Sequence, residues 1–254
     1  MKVLFSLKHP NTQNTYHSVH RNHYFLHTLG RKSRLMKNAC CLSLLALLLA
    51  SCGPSQPPSE KEAVPELLAY FAPAAPLPDT LYISSEEDTT AAAKLIPDSL
   101  LLAALDSVLI EQLTFDGSLE ETECHALLRF PLDEAHEACL MEIRQYWFLY
   151  KPLLIYDRAN RRFTGAELLA YLYGGESGQI AAESWLLDLN GDGKKELLTR
   201  HQEHWLEWAE NQEDVTDHFR DSVSARVWNG AAFQDYPLPD TAAYIRAFPM
   251  GRLR

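Results

Sequence analysis

A short apolar run at residues 39–49 is the feature that most constrains this chain. It follows Lys37 and ends in the small pair Ala50-Ser51, directly before Cys52. A bilayer-spanning helix needs about 20 apolar residues, so this run is too short to span a membrane. A basic start, a short apolar stretch and a small-residue cleavage site are the layout of an export signal. We therefore expect residues 36–51 to be a signal peptide.

The end of this run also carries a lipidation pattern. Residues 49–52 read Leu-Ala-Ser-Cys and resemble the lipobox of bacterial lipoproteins. The resemblance implies a diacylglycerol thioether on Cys52, usually with a third acyl chain on its amine. Two or more acyl chains anchor a protein stably, so the membrane is an expected partner. Gly53, where some lipoproteins carry an inner-membrane retention aspartate, favours the outer membrane. Periplasmic and surface-facing orientations both fit.

The signal divides the chain into four segments. Because Met36 gives a leader of ordinary length, we interpret residues 1–35 as a mis-assigned extension, with a long basic leader as the alternative. Residues 52–80 hold seven prolines and predict a lipidated, disordered Pro-rich tether, within which a short helical turn could form at residues 66–71. Residues 81–254 are expected to form the folded body.

The charge of the mature chain argues against nucleic acid as a partner. The full sequence has a formal charge of −11, and residues 1–51 contain seven Lys and Arg but no Asp or Glu. Removing them leaves −18. Binding to a phosphate backbone depends on neutralisation by Lys and Arg, which this composition disfavours.

Apolar spacing predicts two helices in an α+β body. One longer helix is expected over residues 98–113, because an apolar stripe recurs there at helical spacing: Leu101, Leu105, Val108, Leu109 and Leu113. A short helix is expected after Thr164, which forms a capping-box pattern with Glu167. Gly174 and Gly175 would end that helix.

The remaining body predicts antiparallel β-meander sheets. Strands are indicated by apolar and aromatic stretches at 126–130, 138–144, 147–156, 184–187 and 196–208. Pro152 indicates a sheet edge or a bulge. Asn229-Gly230 predicts a two-residue type I′ hairpin turn. Residues 210–221 are expected to form an acidic excursion, and residues 237–254 an irregular wrap.

One loop, residues 188–196, carries the chemistry of a metal site. Its sequence places side-chain oxygens at alternate positions, and the candidate calcium ligands are Asp188, Asn190, Asp192, the Lys194 carbonyl and Glu196. Calcium takes six to eight oxygen ligands, and a glycine allows the sharp turn around the ion. An EF-hand would need a glutamate at loop position 12, where Thr199 stands.

With strand-like flanks, this loop resembles the calcium loop of FG-GAP/VCBS-type repeats. That resemblance implies a β-hairpin that carries the ligands, and only one copy is present. The alternative is an ordinary Asn-Gly/Asp-Gly turn with solvated acids. A bound calcium ion would stiffen the loop, and no catalytic role is implied.

Two further cysteines, Cys124 and Cys139, remain in the body. An oxidising envelope would favour a disulfide between an even pair, but a hairpin centred near residues 133–134 would separate them by about 13 Å. A disulfide and buried free thiols therefore both stay open.

No catalytic residues emerge from the sequence. His201 and His204 lie three apart in an apparent strand, so their side chains point to opposite faces and do not suit zinc. We expect a non-catalytic, lipid-anchored envelope protein that binds an envelope protein or glycan partner. The alternative is an envelope hydrolase with a groove lined by aromatic residues, namely Trp147, Tyr150, Trp185, Trp205 and Trp208.

Overall fold

The computed structural model describes residues 59–74, 76–87, 93–175, 177–208, 214–251 and 253. The predicted extension, the signal peptide and Cys52 lie outside the described residues. The helices within them are α1 (Glu60–Tyr70), α2 (Asp98–Ala104), α3 (Ser107–Leu113) and α4 (Thr241–Ala247). The short strands are β1 (Ala72–Pro73), β2 (Thr80–Ile83), β3 (Lys94–Leu95) and β11 (Phe233–Tyr236). The long strands are β4 (Thr122–Pro131), β5 (His136–Gln145), β6 (Phe148–Asp157), β7 (Arg162–Gly175), β8 (Gly178–Leu187), β9 (Glu196–Trp208) and β10 (Val215–Trp228).

The strands form one open mixed sheet, and most of the described structure is β. Strands β4 to β11 follow one another as an antiparallel meander, and β1 adds to β4 in parallel. Strand β2 pairs with β8, and β3 pairs with β4. The predicted meander is confirmed, and the α+β class is compatible with this mostly β fold.

The sheet divides at β7, because this strand pairs with its two neighbours over different parts of its length. Residues 162–172 pair with β6, whereas only residues 171–175 pair with β8. Strand β2 occupies the edge of β8 that β7 leaves open. Two halves of the sheet can therefore turn toward each other.

Three apolar clusters hold these layers together. Helices α1 to α3 pack on one face of β4–β7, where the buried residues include Leu67, Leu101, Met141 and Leu154. The opposite face of β4–β6 packs against β2, β8 and β9 through residues such as Leu140, Leu153, Ile83, Leu186 and Leu197. The outer face of β8–β10 is covered by α4, with Trp185 against Phe248.

A buried polar layer accompanies the second cluster. Glu142 and Lys151 are 1% and 5% exposed, and the Glu142 Oε2 to Lys151 Nζ distance is 3.5 Å. Arg144 donates to Glu142 Oε1 through Nε and Nη2 at 2.9 and 2.6 Å. Nearby, Glu183 accepts from the Tyr82 hydroxyl at 2.5 Å. Burial and that hydrogen bond raise the pKa of Tyr82.

The predicted disordered tether is wrong for the described residues from 60 onward. Helix α1 buries Ala63, Val64, Leu67 and Leu68, so the folded body begins well before residue 81. Its first turn is closed by the Glu62 carboxylate, which accepts from the backbone N–H and the hydroxyl of Ser59. Residues 52–58 lie outside the described part of the chain.

The predicted helix over 98–113 is two helices separated at residues 105–106. Asp106 begins the second helix, because its carboxylate accepts from Leu109 N at 2.9 Å. Four residues of the predicted stripe are buried, but Val108 is 58% exposed and is not a core residue.

The predicted helix after Thr164 is also wrong, since residues 162–175 form β7. A ladder with β6 runs from Leu172 to Arg162, and this long-range pairing outweighs the local capping pattern. Gly174 and Gly175 lie at the end of this strand, before the turn into β8. The Pro152 bulge is confirmed by a register shift at that position, within an interior strand.

The C-terminal third departs from its prediction in three ways. Residues 215–221, expected in an acidic excursion, belong to β10. The 229–230 hairpin exists, but Trp228 pairs with Phe233, so the loop has four residues. The Asn229 side chain closes it by accepting from two backbone N–H groups. Helix α4 replaces part of the predicted irregular wrap.

Cys124 and Cys139 are free and buried, so the disulfide does not form. Cys124 is paired with Ile143, four positions along β5 from Cys139, which corresponds to about 13 Å. Burial raises the pKa of the Cys124 thiol to about 12, which leaves it protonated and inert at neutral pH.

Candidate calcium-binding loop

The candidate loop joins two neighbouring strands of the meander. Leu187 ends β8 and Glu196 begins β9, and the two residues are paired. The strand flanks predicted for this loop are therefore confirmed. Among the described helices, none is long and apolar enough to cross a bilayer.

Asp188 organises the first turn of the loop. Its Oδ1 accepts from Gly191 N at 2.7 Å and Asp192 N at 3.1 Å, and its Oδ2 accepts from Gly193 N at 2.8 Å. Gly191 and Gly193 have φ values of 79° and 83°, which non-glycine residues seldom adopt. The hydrogen bond from Gly193 is the largest influence that lowers the pKa of Asp188.

The next alternate residues repeat this pattern. Asn190 Oδ1 accepts from Asp192 N, and Asp192 Oδ1 accepts from Lys194 N, both at 2.8 Å. The loop amides thus orient the oxygens of three of the predicted ligands. Lys195 holds the loop to the chain before β2 by donating to the Asp79 carbonyl at 2.6 Å.

Glu196 lies under the loop and is fully buried. Its Oε2 accepts from Leu189 N at 2.7 Å, and its Oε1 accepts from Asn190 Nδ2 at 3.2 Å. This carboxylate therefore closes the base of the loop from the first residue of β9.

The chemistry of the candidate ligands suits calcium, but their side chains do not converge on one point in this structure. All the candidate ligands are hard oxygens. Asp188 Oδ1 already accepts two hydrogen bonds, but the other side-chain oxygens of the set accept one at most and keep a lone pair for a cation. Within the described ranges, no three Asp, Glu, His or Cys side chains converge closely enough to hold a metal. The loop is therefore closed by its own amides, with its oxygens available for a cation.

The aromatic groove of the alternative function does not form. Trp147 is 76% exposed at the β5–β6 turn, whereas Tyr150 and Trp185 are buried in different clusters. Trp205 and Trp208 are three apart in β9 and lie on opposite faces of the sheet.

His201 and His204 also lie on opposite faces of β9, as predicted. The His201 Nδ1 is 3.4 Å from a Glu203 carboxylate oxygen, and the His204 Nε2 is 2.8 Å from Asp217 Oδ1. Each histidine has its own carboxylate partner, and they do not share a site.

The sequence reasoning missed a surface cavity beside the β5–β6 turn. It has a volume of about 450 Å³ and is lined by Asp98, Leu119, Glu121, Thr122, Glu123, Arg144 and Tyr146. The aromatic run Tyr146-Trp147-Phe148 at a hairpin was the signal that could have indicated this surface.

No protein family, no curated protein and no solved structure matches this chain.

Proposed function

We propose that this chain is a lipid-anchored bacterial envelope protein that acts as a non-catalytic binding or assembly module with one calcium-stabilised loop. The anchor is assigned to Cys52, and the outer membrane is the expected location. The loop is residues 188–196. The observation that carries the proposal is the set of loop oxygens oriented by backbone amides between β8 and β9.

The physical role assigned to calcium is to neutralise and stiffen this loop. Asp188, Asp192 and Glu196 place three formal negative charges within nine residues. A bound cation would offset their mutual repulsion and fix the turn between two paired strands. Asp188, Asn190, Asp192, Lys194 and Glu196 would hold the ion through oxygen atoms.

The lipid anchor is supported by the sequence of residues 36–52, since charge, apolar length and cleavage site agree. Mass spectrometry of the native protein is expected to show a mature chain that begins with acylated Cys52. An unmodified protein that retains its leader would contradict the anchor.

The calcium proposal is tested by thermal unfolding of the full chain with 10 mM calcium or with chelator. A dissociation constant of about 0.1–1 mM predicts about 1.4–2.7 kcal/mol of stabilisation. For a body of this size, that corresponds to a midpoint rise of about 3–10 °C.

A matched pair of variants separates ion binding from turn formation. Asp157→Asn is the control, because Asp157 Oδ1 also accepts two backbone N–H groups in a hairpin turn. Asp188→Asn should lose the calcium response, while Asp157→Asn should keep it. An unchanged wild-type midpoint, or equal responses in both variants, would rule out the calcium loop.

A further inference from the structure

The β5–β6 turn displays aromatic rings on a strained backbone. Gln145 pairs with Phe148, so the turn consists of Tyr146 and Trp147 alone. Tyr146 has a φ of 57°, a conformation that tight hairpins usually assign to glycine or asparagine. The turn therefore places two large rings where small residues are normally favoured.

The turn is held rigidly by the segment that follows α3. Gln145 is fully buried, and its Oε1 accepts from Phe115 N at 2.6 Å while its Nε2 donates to Asp116 Oδ1 at 2.8 Å. The Tyr146 hydroxyl donates to Asp116 Oδ2 at 2.9 Å. This network fixes the turn and residues 115–118 as one unit.

Three exposed rings result, which we call the aromatic tip. Trp147 is 76% exposed, Phe115 52% and Tyr146 46%. Trp147 and Phe115 both pack against Phe148, with ring centroids 5.2 and 4.7 Å from it. The rings of the aromatic tip are thus held in place by Phe148, and their outer faces are open to solvent.

The cavity described above adjoins this tip, since Tyr146 forms part of its wall. Three acidic residues line it: Asp98, Glu121 and Glu123. The single base in the lining is Arg144, and its Nη2 is held by Glu142 and Glu87 at 2.6 and 2.9 Å. The surface therefore joins aromatic faces to an excess of negative charge.

We propose that the aromatic tip and the acidic cavity form a docking surface for a basic, extended segment of a partner protein. This inference rests on the proposed role as a binding module and names the chemistry of its partner. Lysine or arginine side chains would meet the carboxylates of the cavity, and a cation over the Trp147 face adds a cation–π interaction. A volume near 450 Å³ is within the range of ligand pockets.

Charge complementarity selects this occupant over two others. A second copy of the chain would bring further negative charge, because the sequence carries −11. An anionic lipid surface attracts Lys and Arg, whereas three of the four charged residues that line the cavity are acidic.

The test is fluorescence anisotropy with a fluorescein-labelled hexa-arginine peptide and a hexa-glutamate peptide as the charge control. The full chain carries Cys52→Ser, and the buffer contains chelator. The result therefore depends on neither the lipid anchor nor the calcium loop. We expect hexa-arginine to bind and hexa-glutamate not to bind.

The tip and the cavity are tested separately. Trp147→Ala should weaken hexa-arginine binding at least fivefold, and Trp147→Phe should restore most of it. The double variant Glu121→Gln, Glu123→Gln should weaken it at least tenfold.

A charge-matched control excludes general attraction to an acidic protein. Glu66 and Asp235 are exposed on α1 and β11, so Glu66→Gln with Asp235→Asn removes the same charge elsewhere. Less than a twofold change is expected. Absent peptide binding, equal weakening in the control, or Trp147-dependent binding to phosphatidylcholine vesicles in its place would overturn the proposal.

Discussion

The buried ion pair of Glu142 and Lys151, on the neighbouring strands β5 and β6, gives a sharp test of how this sheet compensates buried charge. Both side chains are almost fully buried, so each has lost its hydration. Removing one member of such a pair leaves the other charge buried without compensation, which costs about 3–5 kcal/mol. Glu142→Gln should reach this range, since the remaining polar partner of Lys151 among the described residues is then the neutral Glu86 carbonyl, 2.5 Å away.

Lys151→Met should cost less, about 3 kcal/mol at most, because Glu142 keeps its two hydrogen bonds from Arg144. The double variant, Glu142→Gln with Lys151→Met, removes both charges of the pair, so neither is left buried without its partner. We therefore expect the double variant to be more stable than the sum of the single losses predicts, by about 1–3 kcal/mol.

Urea unfolding followed by far-UV circular dichroism measures these free energies, with an unchanged slope as the check on two-state behaviour. The exposed pair Arg158 and Glu137, 2.9 Å apart, provides the control cycle. Its coupling should stay below about 1 kcal/mol. The reasoning would be refuted if each single variant lowered the unfolding free energy by less than about 1 kcal/mol, or if both double-mutant cycles gave the same coupling energy.

Two further predictions concern the meander. Gly178→Ala should destabilise the protein by about 1–3 kcal/mol in the same urea assay, because the added Cβ would lie 2.6 Å from the carbonyl oxygen of His204 in β9. Gly175→Ala is the control and should be nearly neutral, because its Cβ would meet no atom within 4 Å. Burial alone would raise the pKa of Asp133, but hydrogen bonds from Trp228 and His136 outweigh it and lower the pKa to about 2. The ionised Asp133 carboxylate therefore contributes its full stabilisation of the fold above about pH 5, and this contribution is lost as the pH falls from about 4 to 2. The difference in unfolding free energy between wild type and Asp133→Asn should shrink over that interval. A difference that does not change with pH would contradict this.

The β-hairpins were predictable because their signals are local. The stretch at 196–208 located β9 at its observed bounds, and Pro152, which indicated an edge or a bulge, lies at a bulge. The loop at 188–196 was placed correctly between strands for the same reason. Its internal hydrogen bonds depend on the backbone path of the turn, which the residue pattern does not specify.

The helices were harder to predict, since competing long-range contacts decide them. Thr164 and Glu167 form a helix-start pattern, yet pairing with β6 makes that segment a strand. Helix α1 was underestimated, because the seven prolines at 52–80 suggested extended chain with a short helical turn at residues 66–71. Its capping residues Ser59 and Glu62, followed by apolar residues at helical spacing, were the overlooked signal.

If Cys52 carries the proposed lipid anchor, the early start of α1 limits how far the folded body can stand from the membrane. Between Cys52 and Ser59 a fully extended backbone spans about 25 Å at most. With acyl chains on Cys52, α1 would be kept within roughly one domain diameter of the lipid headgroups. Such a short linker would keep the binding surfaces of the body close to the membrane. The anchored protein would then meet its partners by lateral, two-dimensional diffusion.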